Sequence, residues 1–532
     1  MAEETVVFAR KASGLVREMS WWDVLLITIA GPAASGMTYY SVRIPGQYPG
    51  GNTVLAFFLG GLIWALPVLL IAVYASSFPR SGAMYVVISR AVHPIVGFLP
   101  NWLWVVSSGF TAGFLNYLGL NLISAALQTG GIMAKSSSLI GAGDWLSNHI
   151  WGRFAIALAM TFVVWGMELL GMDRLKWFIR VIVYVPLVVT LVALVLFFAT
   201  KGSSTWDTVY GAGVHDKIMA AAQSGIDKSG GLMSTGSALK GMFLAVFWAY
   251  SALESISFVG SEVKSPRTSF IRGMGFGFLA VMALYMLNSW APGVSFGNTF
   301  IRDYSWLYYN DTATLEKFLG HTAASPSIPF YAGISSGAAW VAILLAVGFF
   351  FWYLNTSVIC WMGAVRGVFA MAFDRQIPLG LCKVSKRGTP TSATHFIAVF
   401  AVVGCFIGVG DAGGNSSSAN MLAIMDFTGL FFIWGVGLAG LFLPFTRPEL
   451  FEKTTFQYKW GGIPVMAIFG FLALGIGWYI TLLVGTELST NTSEIGMAAL
   501  ISIGLAVVAW MYHRNRKEGI DPNMIYAQIP PA

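Results

Sequence analysis

The chain has 532 residues, of which 56% are hydrophobic and only 10% charged. Soluble domains carry about 25% charged residues, so this composition cannot clothe a water-soluble globule. The formal charge of +7 is spread along the ends of apolar runs rather than gathered in a patch, which argues against a nucleic-acid partner and makes the charge a reporter of membrane orientation.

Apolar runs of roughly 18–25 residues recur along the sequence, each long enough to cross about 30 Å of hydrocarbon as a helix. Only helices and closed barrels satisfy every backbone group in lipid, and segments of about ten residues alternating in polarity are not visible. An all-α polytopic membrane protein is therefore predicted. Its spans are expected at α1 20–42, α2 53–77, α3 97–127, α4 151–170, α5 177–199, α6 240–261, α7 270–292, α8 331–365, α9 393–409, α10 420–445, α11 463–484 and α12 494–512, about twelve in all. Met1 to Ser20 is mostly polar and reads as a tail without a cleavable signal peptide. Cys360, Cys382 and Cys405 are scattered, giving neither a disulfide framework nor a metal site.

With twelve spans both tails share one face, and that face collects most of the 31 Lys and Arg residues, among them Arg80, Arg90, Lys264, Arg366, Arg375 and Arg516. The positive-inside rule then predicts cytoplasmic termini. The opposite face carries longer connections at 128–150, 200–239 and 293–330, and in the last of these Asp311 to Leu319 reads as a short helix across an outer vestibule. Asn310, Asn415 and Asn491 begin Asn-x-Ser/Thr triplets in outer loops, a pattern frequent by chance. The 20 tryptophans and 19 tyrosines mostly suit interfacial belts.

Two spans are interrupted. In α1 the apolar run through Ala30 gives way to Gly31-Pro32-Ala33-Ala34-Ser35-Gly36 before resuming at Met37. Proline lacks a backbone donor and clashes with the preceding turn, and the glycines permit unwinding. Unwound backbone at membrane depth needs protein or a water-filled cavity around it, and the amide end of the following half-helix is a seat for a carboxylate. A simple Pro kink is the plainer alternative. In α6, Phe247 to Ser255 (FWAYSALES) places aromatics, hydroxyls and the carboxylate of Glu254 mid-span. A buried Glu must be protonated, paired or turned to a cavity. One interrupted segment opening each of two five-helix halves is the pattern of inverted-repeat transporters.

Four stretches, in order, resemble the amino acid–polyamine–organocation superfamily of transporters. They are Ala34-Ser35-Gly36 in α1; Phe78 to Tyr85 (FPRSGAMY) after α2; Trp248 to Glu254 with Glu262-Val263-Lys264-Ser265-Pro266 after α6; and Arg366 to Pro378 (RGVFAMAFDRQIP) with Thr389-Pro390 after α8. The resemblance implies five-plus-five inverted repeats at 20–200 and 240–445, an outer loop at 201–239, two added helices over 446–512, and tails at 1–19 and 513–532. It also implies an amino acid or amine substrate, an integral cell-membrane location and no enzymatic activity or cofactor. Under it, the amides around Ala34, Ser35, Gly36 and Met37 would bind a substrate carboxylate, and the backbone of Ala249, Tyr250, Ser251 and Ala252 its amino group. Trp248 matches the aromatic that closes the outer side in arginine–agmatine exchanger-like members, and Glu254 a carboxylate implicated in proton coupling. Here α1 reads Ala34-Ser35-Gly36-Met37-Thr38, where the family commonly has Gly-Ser-Gly-Ile-Phe, so side-chain selectivity is left open.

The coupling ion is expected to be H+ or Na+. Some proton-coupled relatives place a lysine in α5; here that position falls near Pro186, and the core of α5 has no lysine. Thr356 and Ser357 in α8 offer adjacent hydroxyls, a candidate sodium site given hard oxygen ligands, or hydroxyls bonded back to their own helix. Glu254 is the stronger single candidate, as a proton-titrating group. Asp426, near the outer end of α10, would be a gate, a relay or a solvated interfacial residue. Glu168, close to Arg174, and Asp23 read as interfacial pairing groups.

No phosphate-cradling G-x-x-x-x-G-K-[ST] loop suggests a pump, the six histidines are dispersed, and no repeated filter suggests a channel. A carrier for neutral amino acids by proton symport or exchange is the favoured reading, because Glu254 is the one acidic residue clearly placed in the site. A sodium symporter or a polyamine or organic-cation carrier is the alternative within the class. A transceptor is the alternative outside it, disfavoured by tails of about 20 residues. The sequence leaves the oligomeric state unread.

Overall fold

The computed structural model describes residues 14–414, 416–485 and 491–530; Asn415 and positions 1–13 of the predicted N-terminal tail lie outside the described residues. Eleven described helices are long and apolar enough to cross a membrane: α2 Thr53–Ser77, α3 Pro94–Met133, α4 Ile150–Glu168, α5 Met172–Ala199, α6 Thr235–Phe258, α7 Pro266–Phe296, α8 Ala339–Phe373, α9 Thr391–Ala412, α10 Met421–Thr446, α11 Val465–Gly485 and α12 Thr492–Lys517. The first span, α1, is in pieces too short to qualify singly: Trp21–Ala30, Ala33–Ser35, a π-helical turn Gly36–Tyr40, and Ser41–Gln47. Its start is fixed by a reciprocal cap, in which the Ser20 hydroxyl accepts from the Asp23 amide while the Asp23 carboxylate accepts from the Ser20 amide at 2.8 Å.

Met19 and Pro530 lie on the same face. The Met19 amide donates to the Glu262 carbonyl (3.0 Å) and the Lys264 amide to the Met19 carbonyl (2.8 Å), while Arg80 Nε, just after α2, donates to the Pro530 carbonyl at 2.6 Å. We call this the terminal face. The connections on the opposite face are largely helical. They form Ser137–Asn148, Gly202–Tyr210, Val214–Lys228, Asn298–Asn310, Thr312–Leu319 and Ile328–Ser336. Asp311 caps the fifth of these by accepting from the Thr314 amide. Three of them meet in an aromatic core: buried Trp206 meets the rings of Tyr210, Phe300, Tyr304 and Phe330, and of Phe296 at the end of α7. Sequence alone leaves most of these segments as connections because they are too short and mixed in polarity for a membrane signal.

The packing repeats with two-fold logic. Helix α2 lies against α7, and α3 against α8. Between the halves, α1 packs on α7 as α6 packs on α2, and α5 on α8 as α10 packs on α3. Exchanging each helix for the one five positions on reproduces the pattern, as an inverted repeat requires. A two-stranded hairpin, Lys459–Trp460 with Ile463–Pro464, precedes α11.

Candidate functional site

The α1 interruption is tighter than the sequence suggests. Gly31 keeps helical angles (φ −53°, ψ −58°) and its amide still reaches the Ile27 carbonyl at 2.8 Å. Pro32 (φ −82°, ψ 0°) then brings no amide, and a new turn starts at Ala33. A helix start leaves its first amides without intrahelical partners. One of them, on Ala34, donates to Thr356 Oγ1 of α8 at 3.2 Å, and the same hydroxyl lies 3.0 Å from the Ala30 carbonyl on the other side of the break. Thr356 thus stitches the interruption.

The α6 interruption is a true change of backbone. The helix ends at Tyr250, Ser251 is extended (ψ 171°), Ala252 adopts φ +68°, and the chain continues as a 3₁₀ segment Leu253–Phe258. A left-handed alanine costs roughly 1–2 kcal/mol and persists only when its surroundings hold it. Here Glu254 holds it: Oε1 accepts from the Ala252 amide at 3.1 Å and from Trp104 Nε1 of α3 at 2.7 Å. The carboxylate is buried, and Oε2 has no hydrogen-bond partner.

The two breaks touch. A Cβ on Gly31 would lie 2.5 Å from the Ala252 carbonyl oxygen, so this close approach requires glycine. From α7, the Tyr285 hydroxyl reaches the Pro32 carbonyl at 2.5 Å and the Ala249 carbonyl at 2.7 Å, bridging α1 to α6.

Beside this junction lies a small cavity. Ala34, Ser35 and Gly36 line it from α1; Trp248, Ala249, Ser251, Ala252 and Glu254 from α6; and Thr356 from α8. The remaining sequence-named positions lie elsewhere. Met37 is buried against Asn288, whose Nδ2 donates to the Met37 carbonyl at 3.4 Å. Tyr250 donates its hydroxyl to the Phe57 carbonyl of α2 (2.9 Å), and Ser357 donates to the Ala112 carbonyl of α3 (2.7 Å). Asp426 lines a separate outer vestibule with Gln47, Tyr48, Tyr309 and Asn310. Tyr40 and Trp248 line both spaces and form the partition between them. Sequence reading did not place in the site the α3 wall, comprising Trp104, Ser107, Ser108, Thr111 and Leu115, nor Cys360, Gly429 or Tyr285. The cavity lining contains one carboxylate and no Lys, Arg or His. Among the described residues no cluster of His, Cys, Asp and Glu has metal-binding geometry.

The acidic residues read as interfacial do pair, with one change of partner. Asp23 binds Arg180 (2.6 and 3.0 Å), whereas Glu168 faces Arg366 of α8 at 3.4 Å rather than Arg174. Arg366 is also held by Glu262, at 2.9 and 3.2 Å, in a buried triad toward the terminal face. Nearby, Asp374 takes two bonds from Arg90 (2.5 and 3.0 Å) and one from the Tyr85 hydroxyl (2.7 Å).

The sequence itself has known relatives. The amino acid permease family matches residues 19–508. The chain belongs to that family. It is therefore an integral membrane transporter rather than an enzyme. It is 24% identical to a methylthioribose transporter of Bacillus subtilis over 94% of this chain and 95% of that protein. It is 21% identical to a branched-chain amino acid permease of the same organism over 87% of this chain and 89% of the relative. A serine/threonine exchanger, also from Bacillus subtilis, is 23% identical over 94% of this chain and 98% of its own length.

Proposed function

We propose that this permease is a secondary active carrier of neutral amino acids, working by alternating access with protons as the coupling ion, by symport or exchange, and with its terminal face in the cytoplasm. The observation that carries the reading is the cavity itself. Two broken helices meet beside a space with one carboxylate and no cation. In it, a zwitterion finds the amide end of a half-helix for its carboxylate, at Ser35 beside the Gly36 turn, and the carbonyl end of α6 for its ammonium, around Ala249 to Ser251. A dicationic substrate would need a second acidic group, and the lining offers none. The names of two relatives, a branched-chain amino acid permease and a serine/threonine exchanger, support the amino acid class.

Protons are favoured over sodium by the hydroxyls of α8. Thr356 is engaged across the α1 break and Ser357 on α3, so the two turn to different helices. Glu254, in contrast, has one carboxylate oxygen unpartnered and borders the substrate space. Protonation there would change the cap that holds Ala252.

The test is uptake and counterflow of a panel of radiolabelled amino acids by the purified protein in liposomes, at two pH values, with and without sodium. Neutral amino acids should be taken up with a pH response and no sodium response. Trp248→Ala should abolish most uptake, whereas Trp340→Ala, 70% exposed on α8, should not. Glu254→Gln should flatten the pH profile. Equal effects of the two tryptophan substitutions would remove the central site, and an unaltered pH profile in Glu254→Gln would remove proton coupling through that residue.

A further inference from the structure

We propose that the terminal face holds a binding site for one anionic phospholipid, in a groove between the start of α3, the end of α8 and the last turns of α12. The groove, about 1570 Å³ in extent, joins two kinds of lining. Leu505, Val508 and Ala509 of α12 and Ile95 of α3 make an apolar wall, and His93, Arg375, His513 and Arg516 a basic rim. Leu505 and Ile95 are exposed, and α12 is the least buried of the eleven long helices, so the wall faces acyl chains. Its basic rim sits at the end of the helices, where head groups lie.

Charge complementarity selects the occupant. Asp374, the acidic residue in the lining, is committed to Arg90 and Tyr85 behind the groove. Glu518 pairs with Arg514 at 2.9 Å and with Arg375 at 3.8 Å, so Arg516 is the lining guanidinium that no carboxylate in these pairs takes up. Arg516 stacks over the Tyr512 ring at 4.9 Å. The rim therefore presents guanidinium and imidazole groups in excess of carboxylates, and guanidinium pairs with phosphate in bidentate fashion. The backbone gives a second observation. Arg375 has φ +57° and closes α8, with its own amide on the Ala372 carbonyl (3.0 Å) and the next on Met371 (2.9 Å). Glycine ordinarily fills such a helix stop. Arginine stands there instead, and buried Asn515 of α12, which also lines the groove, donates to its carbonyl at 3.0 Å. A soluble phosphate would use the rim and leave the wall idle; a phospholipid uses both. Ile525 and Tyr526 of the C-terminal segment close the inner side, so an occupied groove ties α3, α8, α12 and that segment together.

The experiment uses the full chain, delipidated in detergent, with native mass spectrometry and thermal melts after adding phosphatidylglycerol, phosphatidylcholine or inorganic phosphate. Phosphatidylglycerol should leave one lipid bound per chain and raise the melting temperature; the other two should do neither. Arg516→Gln and the pair Arg375→Gln/Arg516→Gln should weaken phosphatidylglycerol binding at least tenfold. Val508→Trp should do the same with all charges intact, by filling the wall. Lys453→Gln/Lys459→Gln, which removes two positive charges away from the groove, should leave binding unchanged. Because Arg516 is exposed on a helix end, its single substitution keeps the fold. Equal binding of the two lipids, an equal rise with inorganic phosphate alone, or wild-type affinity in both Arg516→Gln and Val508→Trp would overturn the site.

Discussion

The contact between Gly31 and Ala252 permits a quantitative test of whether the two breaks act as one unit. In Gly31→Ala the new Cβ would sit 2.5 Å from the Ala252 oxygen, 3.0 Å from its carbonyl carbon and 3.2 Å from Leu253 Cα. All three are backbone atoms, so no rotamer change relieves the clash. A relaxed carbon–oxygen approach is about 3.3 Å, and α1 must retreat by roughly 1 Å. The Thr356 bonds to Ala30 and Ala34, now 3.0 and 3.2 Å, would then exceed hydrogen-bonding distance. Overpacking costs about 1–3 kcal/mol and each lost hydrogen bond about 1 kcal/mol, against a helix-propensity gain of about 0.5–1 kcal/mol for alanine. With two bonds lost the net is about 3 kcal/mol, roughly a hundredfold in an equilibrium constant at about 1.4 kcal/mol per factor of ten. Equilibrium binding of a labelled substrate, by scintillation proximity on purified protein, reads this directly. Gly166→Ala on α4 and Gly275→Ala on α7 are matched controls, since nothing lies within 4 Å of either new Cβ. If Gly31→Ala binds substrate as tightly as these controls, the breaks are not mechanically joined and the site geometry argued above is wrong.

Tyr285→Phe removes the hydroxyl shared by Pro32 and Ala249 and should weaken substrate binding by roughly fivefold, about 1 kcal/mol for one hydrogen bond, with melting little changed; unaltered affinity would deny the bridge a role in binding. Asp374→Asn breaks a buried pair with Arg90, which costs about 3–5 kcal/mol, and should lower the melting temperature by several degrees in detergent. Asp303, on the outer helix Asn298–Asn310, is buried, and burial lifts its carboxyl above the usual carboxylate range despite Arg302 at 2.6 Å. For an acid raised in the folded state, stability falls as pH rises from the ordinary value through the raised one. Asp303→Asn should therefore stabilise the protein at neutral pH, with the gain shrinking toward pH 4 in melts across that range; a gain that grows on acidification would contradict the sign.

The spans were legible because membrane length is a property of runs, which sequence displays directly. So was the position of each break: Gly31-Pro32 stands out against an apolar run, and Glu254 is a charge inside one. What sequence could not resolve was direction. Successive helical residues point about 100° apart, so Met37 and Tyr250, adjacent to cavity-lining neighbours, turn into protein. The α3 wall gave no signal either. Ser107, Ser108 and Thr111 are small hydroxyls of a kind every membrane helix carries, and Trp104 reads as a belt residue until its indole is found on Glu254. Tyr285 is likewise one aromatic among many on α7. Of the outer helices, Thr312–Leu319 was legible, as the helix expected from Asp311 to Leu319; Gly202–Tyr210 and Asn298–Asn310 were not, because they pack through the aromatic cluster around Trp206, whose members are distant in sequence.

The barriers on the two sides of the cavity are unequal. Toward the vestibule stand the side chains of Tyr40 and Trp248, which line both spaces. Toward the terminal face stand buried ion pairs, Arg366 with Glu262 and Glu168, and Arg90 with Asp374, together with the main-chain bonds that tie Met19 to Glu262 and Lys264. Under the proposed alternating access, opening that side would mean separating buried charges, which substrate binding can drive only by favouring the open state. The structure offers one short route for such an effect. Glu254 caps the turn at Ala252, from which the 3₁₀ segment Leu253–Phe258 and the turn Gly260–Glu262 run on to the partner of Arg366. Under the proposed proton coupling, loss of charge at Glu254 would weaken the cap, and the strained alanine would no longer hold that segment in place. On the proposed mechanism, the proton site and the ion pair that closes the terminal face are thus two ends of one piece of irregular backbone, so that the second can respond to the first without any movement of the surrounding helices being needed to relay it.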